Sequence, residues 1–185
     1  GAVILGADLE NITRNGFEAS QLYSTSSYQA GQLMGVAFSQ NDMTGWDFQN
    51  QDLTGARFVR STLTDANFTG AVVLGADFTY VTDNSFAATQ LYSTASYQAR
   101  DLSGVKFNGN NLTGWSLAHQ NLSNSDIVSA TMVDINLSQA NLTGANLTSS
   151  DLTNASMRGA NLTSTDLSQA ILNGADLGLA HIEGT

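Results

Sequence analysis

The chain has 185 residues and a formal charge of −10, from sixteen acidic and six basic side chains. That balance argues against a nucleic-acid ligand, whose phosphates need clustered Lys and Arg, and only Arg57 and Arg60 lie close together. The absence of cysteine rules out disulfides and thiolate metal sites, and no apolar run reaches the ~20 residues that a membrane helix requires.

Taken from its start, the chain opens a five-residue register at Ile4 and Leu9, with Ala2 and Ala7 two positions before them. The register fails from Glu10 to about Gly31. It resumes at Leu33 and continues through Phe38, Met43, Phe48, Leu53, Phe58, Leu63, Phe68, Val73 and Phe78. A second failure runs from Thr79 to about Arg100. From Leu102, Phe107, Leu112, Leu117 and Leu122 the pattern passes into an unbroken series from Ile127 to Ile182, which includes Leu137, Leu142, Leu147, Leu152, Leu162 and Leu167. A period of five fits neither an α-helix nor a strand. A short fixed period means stacked repeats, each burying its apolar residues against the next.

The two interruptions are one module. Residues 17–30 read FEASQLYSTSSYQA and residues 86–99 read FAATQLYSTASYQA, and their flanks match as well. The chain is therefore a tandem duplication with a period of 69, residues 1–69 and 70–138, with repeats continuing to 185 in a single solenoid. Inserts are expected at about 15–30 and 84–99. In both, the register jumps by 24 residues, one short of five pentads, so the insert replaces coil structure. Alanine, Glu and Gln favour helix, so the composition predicts a short helix at about 17–25 and 86–94, then a turn near Tyr28 and Tyr97. Asn15 and Asn84 are the expected N-caps, with Ser20 and Thr89 as rivals. The start at Gly1, apparently inside a repeat and without Met, suggests a piece of a longer protein.

Ala-Asn-Leu-Thr-Gly at 140–144 and Gly-Ala-Asp-Leu at 174–177 resemble the pentapeptide repeat family, with its Ala-(Asp/Asn)-Leu-X-X consensus. The resemblance covers nearly the whole chain outside the inserts. It implies a β fold, a right-handed quadrilateral parallel β-helix with four pentads per coil, interrupted here by two short α-helical insertions. The insert itself resembles a helical interruption found in some bacterial members of unassigned function. In such a coil the central residue of each pentad and the one two before it point inward, and residues twenty apart stack. Asn121, Asn141 and Asn161 then form an amide ladder, and Asp126, Asn146 and Asp166 align beside it.

Departures from the pattern carry more information. Trp46 and Trp115 stand where a small inward residue is expected, as do Asn41, Asn110, Gln51 and Gln120. We expect the tryptophans to form a small satellite core with Leu22 or Leu91 and Tyr28 or Tyr97. The inward amides should bond backbone groups that the interruption leaves free, because unpartnered burial is costly.

Little points to chemistry. His119 and His181 have no metal-ligand spacing to each other, no nucleophile elbow occurs, and the Asp residues lack the calcium-binding nonapeptide. No catalytic residue, metal or cofactor is assigned, and the chain is not expected to be an enzyme. The expected role is a protein–protein scaffold or spacer within a longer bacterial protein, in the cytoplasm or exported. Its partner would be another protein or the rest of its own chain. The expected contact patch is the duplicated surface around Tyr23, Tyr92, Trp46 and Trp115. The resemblance implies one alternative: some family members are acidic DNA mimics that bind DNA gyrase and protect it from quinolones. An ice- or polysaccharide-binding face of Thr143, Thr148, Thr153 and Thr163 is a further alternative.

Overall fold

One pentad explains the wall. In Leu53-Thr54-Gly55-Ala56-Arg57, the Ala56 N–H donates to the Leu53 carbonyl at 2.9 Å, closing a tight turn whose third residue, Gly55, has φ +66°. A left-handed third residue defines a type II turn. Where Gly is absent the corner often falls to Asn or Asp, as at Asn154 (φ 58°) and Asp134 (φ 56°), the residues that tolerate this region best. Between corners, one residue per side makes a parallel bridge to the coil twenty residues on, as in Gln32 to Asp52 to Val72. Each side is too short to be a continuous strand, and the β character is spread around the coil. The result is a right-handed quadrilateral parallel β-helix.

A computed structural model describes residues 1–185, in two compact units, Gly1–Ala99 and Arg100–Thr185. In the first unit the axis is filled by two phenylalanine columns on opposite sides. Phe38, Phe58 and Phe78 stack at centroid distances of 5.4 and 5.3 Å, and Phe48 stacks on Phe68 at 5.2 Å. Leu33, Leu53 and Val73, with Met43 and Leu63, fill the remaining two sides and are buried. Each ring adds ~1.5–3 kcal/mol of burial, against backbone ordering of ~1–2 kcal/mol per residue, so only continued stacking makes the coil stable.

The second unit repeats the plan with aliphatic residues. Leu102, Phe107, Leu112, Leu137, Leu142, Leu147, Leu152 and Leu162 are fully buried. Leu167, expected in the core, is half-buried. At three places where Ser or Thr replaces the inward Ala, the hydroxyl donates to the carbonyl 23 residues earlier: Ser61 to Phe38 at 2.9 Å, Ser150 to Ile127 at 2.5 Å, Thr165 to Leu142 at 2.8 Å. The buried Ser125 hydroxyl has no such partner.

The first insert lengthens one coil. Asp8 pairs with Ala37, twenty-nine residues on, where the other bridges span twenty. The chain leaves the wall in a 3-10 turn, Thr13–Asn15, ended by Gly16 at φ 82°. Two short helices follow, α1 (Ala19–Tyr23) and α2 (Ser26–Gln29), and the second insert repeats them as α3 (Ala88–Tyr92) and α4 (Ala95–Gln98) after a 3-10 turn at Thr82–Asn84. The single helix expected over 17–25 and 86–94 is thus divided, and Tyr28 and Tyr97 lie in helices, not in turns. Thr25 and Thr94 cause the division, since each accepts from the amide three residues on at 3.1 Å and starts a new helix. Asn15 and Asn84 close the 3-10 turns, and Ser20 and Thr89 lie inside α1 and α3, so none of the four is the cap. At the start of α1 and α3, Gln21 and Gln90 reach back to accept the amides of Glu18 and Ala87 at 2.8 Å.

Candidate functional site

Where the first insert meets the wall, buried polar side chains hold it in place. Asn41, an inward residue only 3% exposed, donates to the carbonyls of Leu9 (2.7 Å) and Phe38 (2.8 Å) and accepts the Thr13 amide at 3.0 Å. Leu9 is the last regular position before the insert and Thr13 begins the 3-10 turn. The amide therefore partners the backbone that the interruption frees. Gln51 does the same at the far end, donating to the Tyr28 carbonyl at 3.1 Å. Ser27 and Ser96, both buried, accept the amides of Ile4 and Val73 at 2.9 Å and bind α2 and α4 to the coil below. In the second insert, Gln90 donates to both Leu63 and Ala66 carbonyls at 2.8 Å.

Of the aromatic residues expected to form a contact patch, Tyr23 and Trp46 serve this docking. Trp46 and Trp115 are 8% and 9% exposed, and Trp46 packs its ring 6.2 Å from Phe17 and 6.4 Å from Phe48. Tyr23 and Tyr28 pack ring to ring at 4.6 Å and grip the backbone of one wall residue on both sides. The Asp47 amide donates to the Tyr23 hydroxyl at 2.6 Å, and the Tyr28 hydroxyl donates to the Asp47 carbonyl at 2.9 Å. Burial, then the nearby Asp47 carboxylate and Tyr23, push the Tyr28 hydroxyl up to about 12. Tyr92 and Tyr97 keep the 4.6 Å pairing, and Tyr92 is half-buried. Of the residues expected in a satellite core, Leu22 and Leu91 are fully buried, Trp46 packs on Phe17 and Phe48, and Tyr28 packs on Tyr23.

This docking leaves concave surface at the junctions. One groove of about 350 Å³ is lined by Thr13, Arg14, Gln40, Asn41, Asp42, Arg60 and Thr62. Beside it lies one of about 440 Å³ lined by Phe17, Glu18, Ala19 and Trp46, sharing Thr13, Arg14 and Asp42. A third, of about 330 Å³, borders α3 at Thr89, Gln90 and Ser93, across from Asp65, Asn67 and Thr69. Periodicity gives no sign of Arg14, because only the long coil brings it beside Trp46 and Arg60.

No group of His, Asp and Glu has the arrangement of a metal site, and no helix is long and apolar enough to cross a membrane. His119 is exposed, and His181 lies exposed, 3.6 Å from Glu183. The outer wall is internally satisfied. Asn141 donates to Asn121, and Asn121 to Asp101, each at 3.0 Å, so the amide ladder begins one coil earlier than expected. At its upper end the Asn141 Oδ1 also accepts the Thr143 amide and hydroxyl. Thr148, Thr153 and Thr163 likewise donate their hydroxyl protons to the Asn or Asp two residues before, at 2.6–2.7 Å. The protons of these four hydroxyls are thus engaged within their own turns. The Asp151 and Asp166 carboxyls are held below the usual range by hydrogen bonds from Thr153 and Ser168 respectively.

A coil of pentads with bonded Asx corners and an alternating small and large interior defines a class of solenoid, and the comparisons agree. The pentapeptide repeats model matches in eight copies, over residues 32–70, 56–82, 101–139 and 140–178. The chain belongs to the pentapeptide repeat family. Solved structures of similar proteins include one from the Arabidopsis thaliana thylakoid lumen, at 26% identity and a TM-score of 0.35, covering 42% of this chain. The chain spans 57% of that protein's length. Rfr23 of the cyanobacterium Cyanothece 51142 is 20% identical with a TM-score of 0.34, covering 89% of this chain and 98% of its own. QnrB1, a plasmid-mediated fluoroquinolone resistance protein, is 16% identical with a TM-score of 0.22, covering 97% of this chain and 91% of its own. No curated protein sequence gives a significant match.

Proposed function

We propose that the chain is a non-enzymatic scaffold that binds a partner protein at the junctions between its inserts and its wall. The observation that carries this reading is the position of the grooves: all three border an insert. On the wall away from the inserts, Thr143, Thr148, Thr153 and Thr163 spend their hydroxyl protons on their own turns. Tyr23 and Tyr92 act in this reading by fixing the inserts, and Trp46 by lending an edge to the groove; Trp115 is the corresponding residue of the second copy. A photo-crosslinking residue at Glu18, in the groove, and another at Ser168, on the smooth wall, test it in cells that make the protein. Discrete protein adducts from position 18 alone are expected. The same adducts from both positions, or none from position 18, would refute it.

The acidic gyrase mimic is supported by the charge of −10, and it makes a different prediction. A mimic would inhibit gyrase supercoiling or relieve quinolone poisoning in a purified assay, with the effect lost on neutralising Asp126 and Asp166. A scaffold leaves supercoiling unchanged, and loses its partner instead on Tyr92→Ala.

A further inference from the structure

The two grooves at the first insert share Thr13, Arg14 and Asp42 and form one trough. Phe17 and Trp46 lie toward one end, Arg60 and Thr62 toward the other. Of the six cations, Lys106 lies 3.9 Å from Asp126 and Arg158 lies 4.0 Å from Asp176, and Arg57 and Arg100 stand elsewhere on the coil without a carboxylate partner. Neither Arg14 nor Arg60 has a carboxylate within 4.0 Å. The Arg60 guanidinium lies over the Tyr80 ring, 5.0 Å from its centroid. Arg14 rises from the 3-10 turn that Asn41 holds through the Thr13 amide, and the Thr13 hydroxyl accepts the Asp42 amide at 3.1 Å. One Asp42 oxygen accepts the Thr44 amide and hydroxyl, at 3.1 and 2.7 Å.

The duplication supplies an internal control. At the 69-residue offset Thr13, Phe17, Asn41, Trp46 and Thr62 return as Thr82, Phe86, Asn110, Trp115 and Thr131. Arg14, Asp42 and Arg60 return as Asp83, Asn111 and Ser129. The framework is kept and the charges are not, so the fold does not require the two arginines.

We infer that this trough binds an acidic peptide segment of a partner protein, with a carboxylate on Arg14 and Arg60 and an apolar side chain at the Phe17 and Trp46 end. The inference rests on the interaction reading above and names the chemistry of the partner. Guanidinium groups match carboxylates in a planar, two-pronged geometry. In the first groove Arg14, Arg60 and Asp42 sum to a single positive charge, which suits a carboxylate better than a doubly charged phosphate; Glu18, in the second groove, makes the trough neutral as a whole and leaves the positive charge at the Arg60 end. The other Asp42 oxygen is placed to accept a peptide N–H. A neutral glycan would leave both arginines without a counter-charge.

Panning a random heptapeptide display library on the intact protein tests this. Enriched sequences should carry Asp or Glu within a few residues of an aromatic or aliphatic side chain. A synthetic peptide of that consensus should lose at least about tenfold in affinity to the double variant R14D/R60S, which adopts residues the second copy already carries. Unchanged thermal unfolding of that variant would show that the loss is not one of folding. Acidic peptides that bind the double variant equally well would overturn the inference. Peptides without acidic residues that bind the trough would overturn it and leave the scaffold reading standing, whereas no enrichment at all would count against both. Inorganic phosphate, titrated against the arginine Nε resonances, should move neither; shifts matching the peptide's would make the trough a general anion site.

Discussion

Replacing Asn41 by Leu tests the claim that buried amides hold the insert to the wall. The substitution keeps the volume and removes three hydrogen bonds, but the consequences differ among the partners. The Phe38 carbonyl still accepts the Ser61 hydroxyl at 2.9 Å. The Leu9 carbonyl and the Thr13 amide have no other partner. An orphaned buried group costs ~1–3 kcal/mol, so two give ~2–6 kcal/mol. Leu9 and Thr13 are half-buried, and water reaching them brings the expected loss to ~2–3 kcal/mol. Urea unfolding of Asn41→Leu measures the total, and amide hydrogen exchange locates it. Protection should fall most at Thr13 and through α1, and least in residues 100–185. A loss below ~0.5 kcal/mol, or one spread evenly over the chain, would refute the reasoning.

Alkaline titration probes the tyrosine grip. Tyr28 is raised from 10 to about 12, so the unfolded chain loses its proton first, and this contribution, intact below pH 10, declines as the pH rises toward 12. Tyr28→Phe should remove that pH-dependent component, read by near-ultraviolet circular dichroism; an identical alkaline profile would contradict the assignment. Phe58→Ala removes a fully buried ring with phenylalanine neighbours at 5.3–5.6 Å and should cost ~3–5 kcal/mol in urea unfolding. A cost below that of Leu142→Ala would mean that ring stacking adds nothing to the first unit. Thr153→Val should raise the Asp151 carboxyl toward its ordinary 3.8, followed by carboxyl NMR. The stability from this bond is present above the ordinary carboxylate pKa and disappears as pH falls through the lowered one, so the variant should lack that acid-side decline. No shift would remove the hydroxyl as its main cause.

The wall was legible in the sequence because a pentad coil writes its interior directly as a period. From Leu33 to Phe78 and from Leu102 to Leu162, every central residue is buried. The insert was legible as an interruption but not in its form. The periodicity of the large residue stops at Leu9, yet the second inward track continues in fives through Ala7, Ile12, Phe17, Leu22 and Ser27. In the other copy it runs through Ala76, Val81, Phe86, Leu91 and Ser96, all buried. Following that track would have placed Phe17 and Ser27 against the coil. The trough depends on which residues a coil of twenty-nine brings together, and no local period encodes that.

The bridges between coils run parallel to the stacking axis within each unit, and this sets how the molecule bears load. Force applied to the two ends of a unit acts on one coil's bonds at a time, so the chain should peel like thread from a spool at low, repeated tension. Each regular coil of twenty residues would release about 70 Å of extended chain. The coil of twenty-nine would release about 100 Å. An insert is thereby a length marker, and a longer step in a single-molecule extension trace would mark an insert-bearing coil such as Asp8–Ala37 giving way.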